Sequence, residues 1–147
     1  MNDEIIIRAM KESESDLEQV LLLRKIVFNS IVSKNVINKE ILINYLKRNP
    51  EVSSVACTLE GKIIGFLLCG HDGIRGFIYH ITVYNEYRIK CISKMMVNRS
   101  LSELNKVGIY TGFMFTQSST FDSEEFWNSI GWIVIPDKAY VYKPPIF

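Results

Sequence analysis

Arg88, Lys90, Lys94 and Arg99 fall in a stretch, between Glu86 and Glu103, that contains no acidic residue. The first three surround the start of a pattern in which Ile92, Met96, Val97, Leu101 and Leu104 recur at helical spacing. A helix begins with main-chain N–H groups that have no intrahelical partner and with the positive end of its dipole. Cations there are unfavourable by roughly a few tenths of a kcal/mol each unless an anion is present. Gly76 to Val83, rich in aromatic and β-branched residues, reads as a strand just before this basic loop. Strand, loop and helix N-terminus is an arrangement that holds phosphate groups; the alternative is a basic surface in water.

Groups able to move a proton lie on and after the same strand. Strict alternation puts Phe77, Tyr79, Ile81 and Val83 on one face and Ile78, His80 and Thr82 on the other. Tyr79 is a candidate proton donor, the alternative being a core phenol bonded at its hydroxyl. His80 has the intrinsic pKa of a base, against a structural histidine. Glu86, just beyond the strand, is a candidate to deprotonate an ammonium group, against a carboxylate in water. Tyr84, Tyr87 and Tyr110 read as packing.

The rest of the chain sets limits. Its 147 residues include 17 Lys+Arg and 16 Asp+Glu, a net charge of +1, and 48% hydrophobic residues. One domain over residues 1–147 is expected, with a real core and no field for nucleic acid or a membrane surface. The aromatics are not interleaved with the basic cluster as stacking platforms for nucleic acid would be. No apolar run reaches the roughly 20 residues of a membrane span. The acidic start Met1-Asn2-Asp3-Glu4 is unlike a secretory signal, so a cytoplasmic location is expected. Cys57, Cys69 and Cys91 are odd in number and lack a C-x-x-C pair, so neither disulfides nor a metal are expected.

The elements that must position the basic loop follow from periodicity. Ile5 to Met10 reads as a strand, and Ser15-Asp16-Leu17-Glu18 as a capping box opening a helix. That helix carries Leu17, Val20, Leu21, Val27, Phe28 and Ile31 in one stripe. A second helix starts near Asn38 and ends at Asn49-Pro50. Val52–Leu59 and Lys62–Cys69 flank Glu60-Gly61 as a hairpin, with a turn at Gly70-His71-Asp72-Gly73. Gly108 to Phe115 is a further strand. Asp122 and Glu125 with Phe121 and Phe126 make a capping box and hydrophobic staple, and Gly131 a left-handed stop. Trp132–Ile135 and Ala139–Tyr142 then read as a closing hairpin. The order β-α-α-β-β-β-α-β-α-β-β predicts an α+β fold, a twisted mixed sheet of about 6–7 strands with helices on both faces.

Within that order, Ile81-Thr82-Val83 followed by Arg88-Ile89-Lys90-Cys91-Ile92-Ser93 resembles the acyl-CoA motif R/Q-x-x-G-x-G/A of the GNAT superfamily of N-acetyltransferases. Phe126-Trp127-Asn128-Ser129-Ile130-Gly131-Trp132 resembles that family's F-Y-x-x-x-G-F junction, and Ile7-Arg8 with Asp16-Leu17 its opening. The resemblance spans essentially the whole chain. It implies acetyl-CoA as co-substrate, with Ile81, Thr82 and Val83 meeting the pantetheine arm through main-chain atoms. Arg88, Ile89, Lys90, Cys91, Ile92, Ser93 and Lys94 would hold the diphosphate. The implied function is transfer of an acetyl group to a small-molecule or peptide amine, which attacks the thioester directly.

Four positions depart from the family pattern. Cys91 and Ser93 stand at glycine or small-residue places. A positive φ at Cys91 would cost about 1–2 kcal/mol; a helical backbone there would cost little. Trp127 stands where the family has its proton-donating Tyr, and Thr120 where many members have Asn. These changes motivate a second reading, a catalytically impaired CoA-binding or interaction module. The acceptor carries no motif, and the family's frequent pairing leaves a homodimer open.

Overall fold

Arg8, on strand β1 (Ile5–Ala9), ties the start of the chain to its first helix. Its guanidinium donates from Nη1 to Asp16 Oδ2 (2.7 Å) and from Nη2 to Asp16 Oδ1 (2.9 Å), and the Lys11 N–H adds a third bond to that carboxylate (2.9 Å). Burial works against the Asp16 anion, but Arg8 and the Lys11 N–H outweigh it and hold its pKa below the usual aspartate range. Helix α1 (Glu14–Phe28) starts two residues earlier than the Ser15 box predicts. Ser13 is the cap, its Oγ accepting from the Asp16 N–H (3.2 Å), and Ser15 Oγ accepts from Gln19 instead.

The computed structural model describes residues 4–28, 37–114, 124–129 and 131–133, which fall in two compact units, Met1–Thr116 and Gln117–Phe147. In the first unit, helix α2 (Lys39–Arg48) starts where expected and is capped by Asn38, whose Oδ1 accepts from the Ile41 N–H at 2.8 Å. Strands β2 (Ser54–Thr58), β3 (Ile63–His71), β4 (Gly76–Val83) and β5 (Gly112–Met114) complete a five-stranded sheet in sequence order. The first three pairings are antiparallel; β4 and β5 are parallel. The mixed α+β architecture matches the expectation. The predicted closing hairpin, the Asp122 capping box and Thr120 lie outside the described residues.

Strand β3 runs through Gly70 and His71, which pair with Phe77 and Gly76 where a turn was expected. The turn is Asp72–Arg75, with Asp72 Oδ1 accepting from the N–H groups of Ile74 (2.9 Å) and Arg75 (3.0 Å). Gly70 is needed for space: a Cβ there would come within 2.5 Å of Tyr45 Oη and 2.9 Å of the Asn49 amide.

Helices cover both faces. Phe66 and Leu68 of β3 pack with Leu17, Val20 and Leu23 of α1 and Leu42 of α2. On the other face, a Cβ at Gly65 would meet Met96 Cε at 3.3 Å, so the absent side chain admits helix α3 (Ile92–Lys106). Arg99 of α3 donates to Glu51 O (2.9 Å), Ser53 O (3.2 Å) and Ser54 Oγ (3.1 Å). Ser100 Oγ donates to Val52 O and lies 2.7 Å from Ser54 Oγ. Arg99 thus locks α3 to the entry of β2 and is separate in role from the basic loop.

In the second unit, helix α4 (Glu124–Ser129) ends as predicted at Gly131, whose φ is +106°. The Trp132 N–H donates to Trp127 O (3.0 Å), and the two indoles meet edge to face at 6.4 Å.

Candidate functional site

Strand β4 is not a regular strand. Phe66 pairs with Thr82 and Leu68 with Tyr79, so one extra residue is inserted on β4, and His80 takes a left-handed φ of +55°. Such a bulge leaves one residue's main-chain groups out of the ladder and redirects the side chains beyond it. The strict alternation expected from sequence fails here. Tyr79 and Thr82 share the α1/α2 face with their partners Leu68 and Phe66, while Val83, beside Gly65, faces α3. A left-handed residue other than glycine stores about 1–2 kcal/mol, and such strain concentrates at functional sites.

The β4–β5 ladder comprises Gly76–Gly112, Phe77–Phe113 and Ile78–Met114. Among the described residues, no strand pairs with that edge of β4 from Tyr79 to Val83. Ile81, Thr82 and Val83 are buried there at the strand's end. A 3₁₀ helix (Asn85–Lys90) follows, carrying Glu86 exposed in its first turn together with Arg88, Ile89 and Lys90. The side chains of Ile89 and Lys90 lie outside the described atoms. Arg88 is half-buried, its Nε 3.5 Å from Val83 O at the strand end.

Cys91 joins this 3₁₀ helix to α3 with φ +56° and ψ +29°. The left-handed backbone, not the helical one, is therefore the conformation adopted at the motif's first glycine place. The Cys91 side chain is exposed, so its sulfur does not fill the loop. No side chain caps the α3 N-terminus and no acidic residue occupies its first turn. Lys94 is half-buried in that turn, whereas Ile92 and Ser93 are buried on the stripe shared with Met96 and Val97. The free N–H groups, the absence of acidic side chains and the nearby cations all favour an anion.

The α1/α2 face of the bulge has its own chemistry. Phe113, Phe77 and Tyr79 form a stacked row (6.0 and 6.4 Å between centroids), continued edge to face by Tyr45 at 6.5 Å. Burial raises the phenol pKa of Tyr79, and of Tyr45 more strongly, so both hydroxyls keep their protons. His80, 6.5 Å from the Tyr79 ring, is pushed down to about 4 by burial and then by the Arg24 cation, and is a neutral imidazole. Arg24 lies on the sheet-facing side of α1, four residues after Val20, and is 9% exposed. Tyr79 and His80 thus stand side by side at the bulge, with the charge of Arg24 acting on His80, while Glu86 stands exposed beyond the strand. Sequence reading missed Arg24. Its place at i+4 from Val20 and i+7 from Leu17 was the available signal, overridden by the ordinary preference of arginine for water.

Comparison with known proteins meets this geometry. The model for the acetyltransferase (GNAT) family matches residues 19–132. The chain belongs to that family. Comparison with curated proteins gives no match. Among solved structures, an aminoglycoside acetyltransferase, meta-AAC0020, from an uncultured soil metagenomic sample, in complex with sisomicin, superposes with a TM-score of 0.74. It is 20% identical, with 96% of each chain covered. The ribosomal-protein-alanine N-acetyltransferase of Brucella melitensis biovar Abortus 2308 gives 0.73 at 16% identity, covering 95% of this chain and 98% of that one. Aminoglycoside N-acetyltransferase AAC(6')-Iy in complex with CoA gives 0.71 at 16% identity, with 97% of each chain covered. At these identities the likeness is one of fold. Among the described residues of this GNAT chain, no three His, Cys, Asp or Glu side chains gather to hold a metal, and no helix is long and apolar enough to cross a membrane.

Proposed function

We propose that this GNAT protein is an acetyl-CoA-dependent N-acetyltransferase acting on a small amine. The observation that carries the reading is the left-handed Cys91 at the head of an uncapped α3, joined to the bulged β4 by the 3₁₀ helix. When bound, acetyl-CoA supplies an acyl carbon activated by its thioester, on which a C–N bond forms as the C–S bond breaks. The main-chain N–H groups of Ile92, Ser93 and Lys94 suit the diphosphate, with Arg88, Lys90 and Lys94 supplying positive charge. The strand edge at Ile81, Thr82 and Val83 offers main-chain groups for the pantetheine amides. The bulge supplies a further main-chain donor that the ladder does not use, suited to an oxygen gaining negative charge. Tyr79, protonated and half-buried beside the bulge, is the group we assign to reprotonate the leaving sulfur. It takes the role that Trp127 cannot fill, because an indole N–H does not yield a proton at useful pH.

Calorimetric titration with acetyl-CoA, followed by thiol release across a panel of amines, tests this. Saturable binding and turnover with at least one amine are expected. Absence of binding at millimolar acetyl-CoA sinks the reading. Binding without turnover by any amine leaves the CoA-binding module in its place. Tyr79→Phe should lower kcat and leave acetyl-CoA affinity unchanged.

A further inference from the structure

Arg24 is the one buried cation in the first unit's described core with no counter-ion. Its Nε has no hydrogen-bond partner and is shut from solvent. It occupies a sheet-facing position of α1 that the helical period assigns to an apolar side chain, and its charge is felt at His80 on the bulge. An uncompensated buried guanidinium is strongly unfavourable. The half-buried guanidiniums of Arg8, on Asp16, and of Arg99, at the β2 entry, each donate from both Nη atoms. A buried charge left unpaired where the half-buried Arg8 and Arg99 find acceptors points to a ligand. His80 keeps partial exposure, so the pair is not sealed.

We propose that the Arg24 guanidinium, held under α1 beside the His80 bulge, is the receptor for a carboxylate on the acyl acceptor. The preferred acceptor is then a small amino acid-like amine rather than a polycation. The inference rests on the transferase reading and extends it to the substrate class. A guanidinium with no partner of its own can take a planar carboxylate in two parallel bonds. The neutral imidazole of His80 adds an acceptor for an ammonium or amine hydrogen nearby without adding a second positive charge. The aromatic row of Phe113, Phe77 and Tyr79 provides an apolar wall for a side chain. A polycationic acceptor would meet Arg24 as a like charge in a poorly solvated place and be rejected.

The experiment compares amino acids with their C-terminal amides, which keep the amine and remove the anion. For wild-type protein, kcat/KM should favour the acid by about 30-fold, the scale of a charge-assisted bidentate contact. In Arg24→Met that ratio should fall close to one, mainly through KM, and Arg24→Lys should restore part of it. A readout without turnover uses the same pairs: acids should raise the melting temperature of the free wild-type protein, amides should not, and Arg24→Met should respond to neither. Equal use of acid and amide by the wild type, or an acid preference unchanged in Arg24→Met, overturns the inference. Stabilisation by inorganic phosphate but not by acetate or amino acids overturns the carboxylate assignment as well. Acetyl-CoA titration separates the two levels. Intact binding with no acid preference defeats this inference alone, whereas loss of acetyl-CoA binding in the wild type defeats the transferase reading beneath it.

Discussion

Two regions of the first unit treat buried polar groups in opposite ways. At the β1–β2 side, Arg8, Asp16, Arg99, Ser54 and Ser100 bond to one another or to main-chain oxygens, so charge is enclosed and answered. At the β4 side, Arg24 Nε and Tyr45 Oη are enclosed and unanswered, and His80 and Cys91 hold left-handed backbone conformations. The first arrangement raises stability by giving every desolvated group a partner. The second leaves stability unrealised, as expected where a ligand completes the bonding. The difference teaches where to look for function: at the place where the protein's own groups do not satisfy one another.

The largest expected effect lies in the answered region. Asp16→Ala should lower unfolding free energy by about 4 kcal/mol, because it strands the half-buried Arg8 and the Lys11 N–H; a urea melt measures it. Next is the pH response of the unanswered region. With its folded pKa depressed to about 4, His80 binds a proton more readily in the unfolded chain. Stability should therefore hold above about pH 6.5 and decline by about 2–3 kcal/mol as pH falls from there to about 4. Melts of His80→Phe should lack that component.

A matched pair breaks the comparison most directly. Arg99→Met should destabilise by about 2 kcal/mol, since several main-chain and hydroxyl acceptors lose a charged donor. Arg24→Met should leave stability unchanged or raise it by about 1 kcal/mol, since it removes an unpaired buried charge. Equal losses in both would erase the distinction drawn between the two regions. The smallest effect is at the loop. Cys91→Gly relieves a positive φ at the cost of unfolded-chain freedom, so a net gain of at most about 1 kcal/mol is expected, with tighter acetyl-CoA binding by calorimetry.

Much of this architecture was legible in the order of residues. The bounds of β4, the start of α2 at Asn38 and the Gly131 stop follow from local chemistry: a run of aromatic and β-branched residues, a side-chain acceptor at a helix start, and a residue free to take positive φ. The basic loop before α3 was equally plain, because charge and helical period are both written in consecutive residues. The start of α1 was misread by two residues, since Ser13 and Ser15 offer the same hydroxyl acceptor and it is Ser13 that caps while Ser15 bonds to Gln19. The facing of Tyr79, Thr82 and Val83 was misread because an inserted residue at His80 has no local signature.

By itself, then, the sequence determined the succession of strands and helices, the apolar stripes that join them into layers, and the concentration of positive charge ahead of α3. These depend on contacts between near neighbours in the chain. Only the tertiary structure decided that His80 interrupts β4, that Cys91 adopts a glycine-like backbone, and that Arg24 is buried beside the one without a partner. Each of those is settled by what lies across the sheet or under the helix. A residue's desolvation and the charge facing it are sums over neighbours that folding alone brings close.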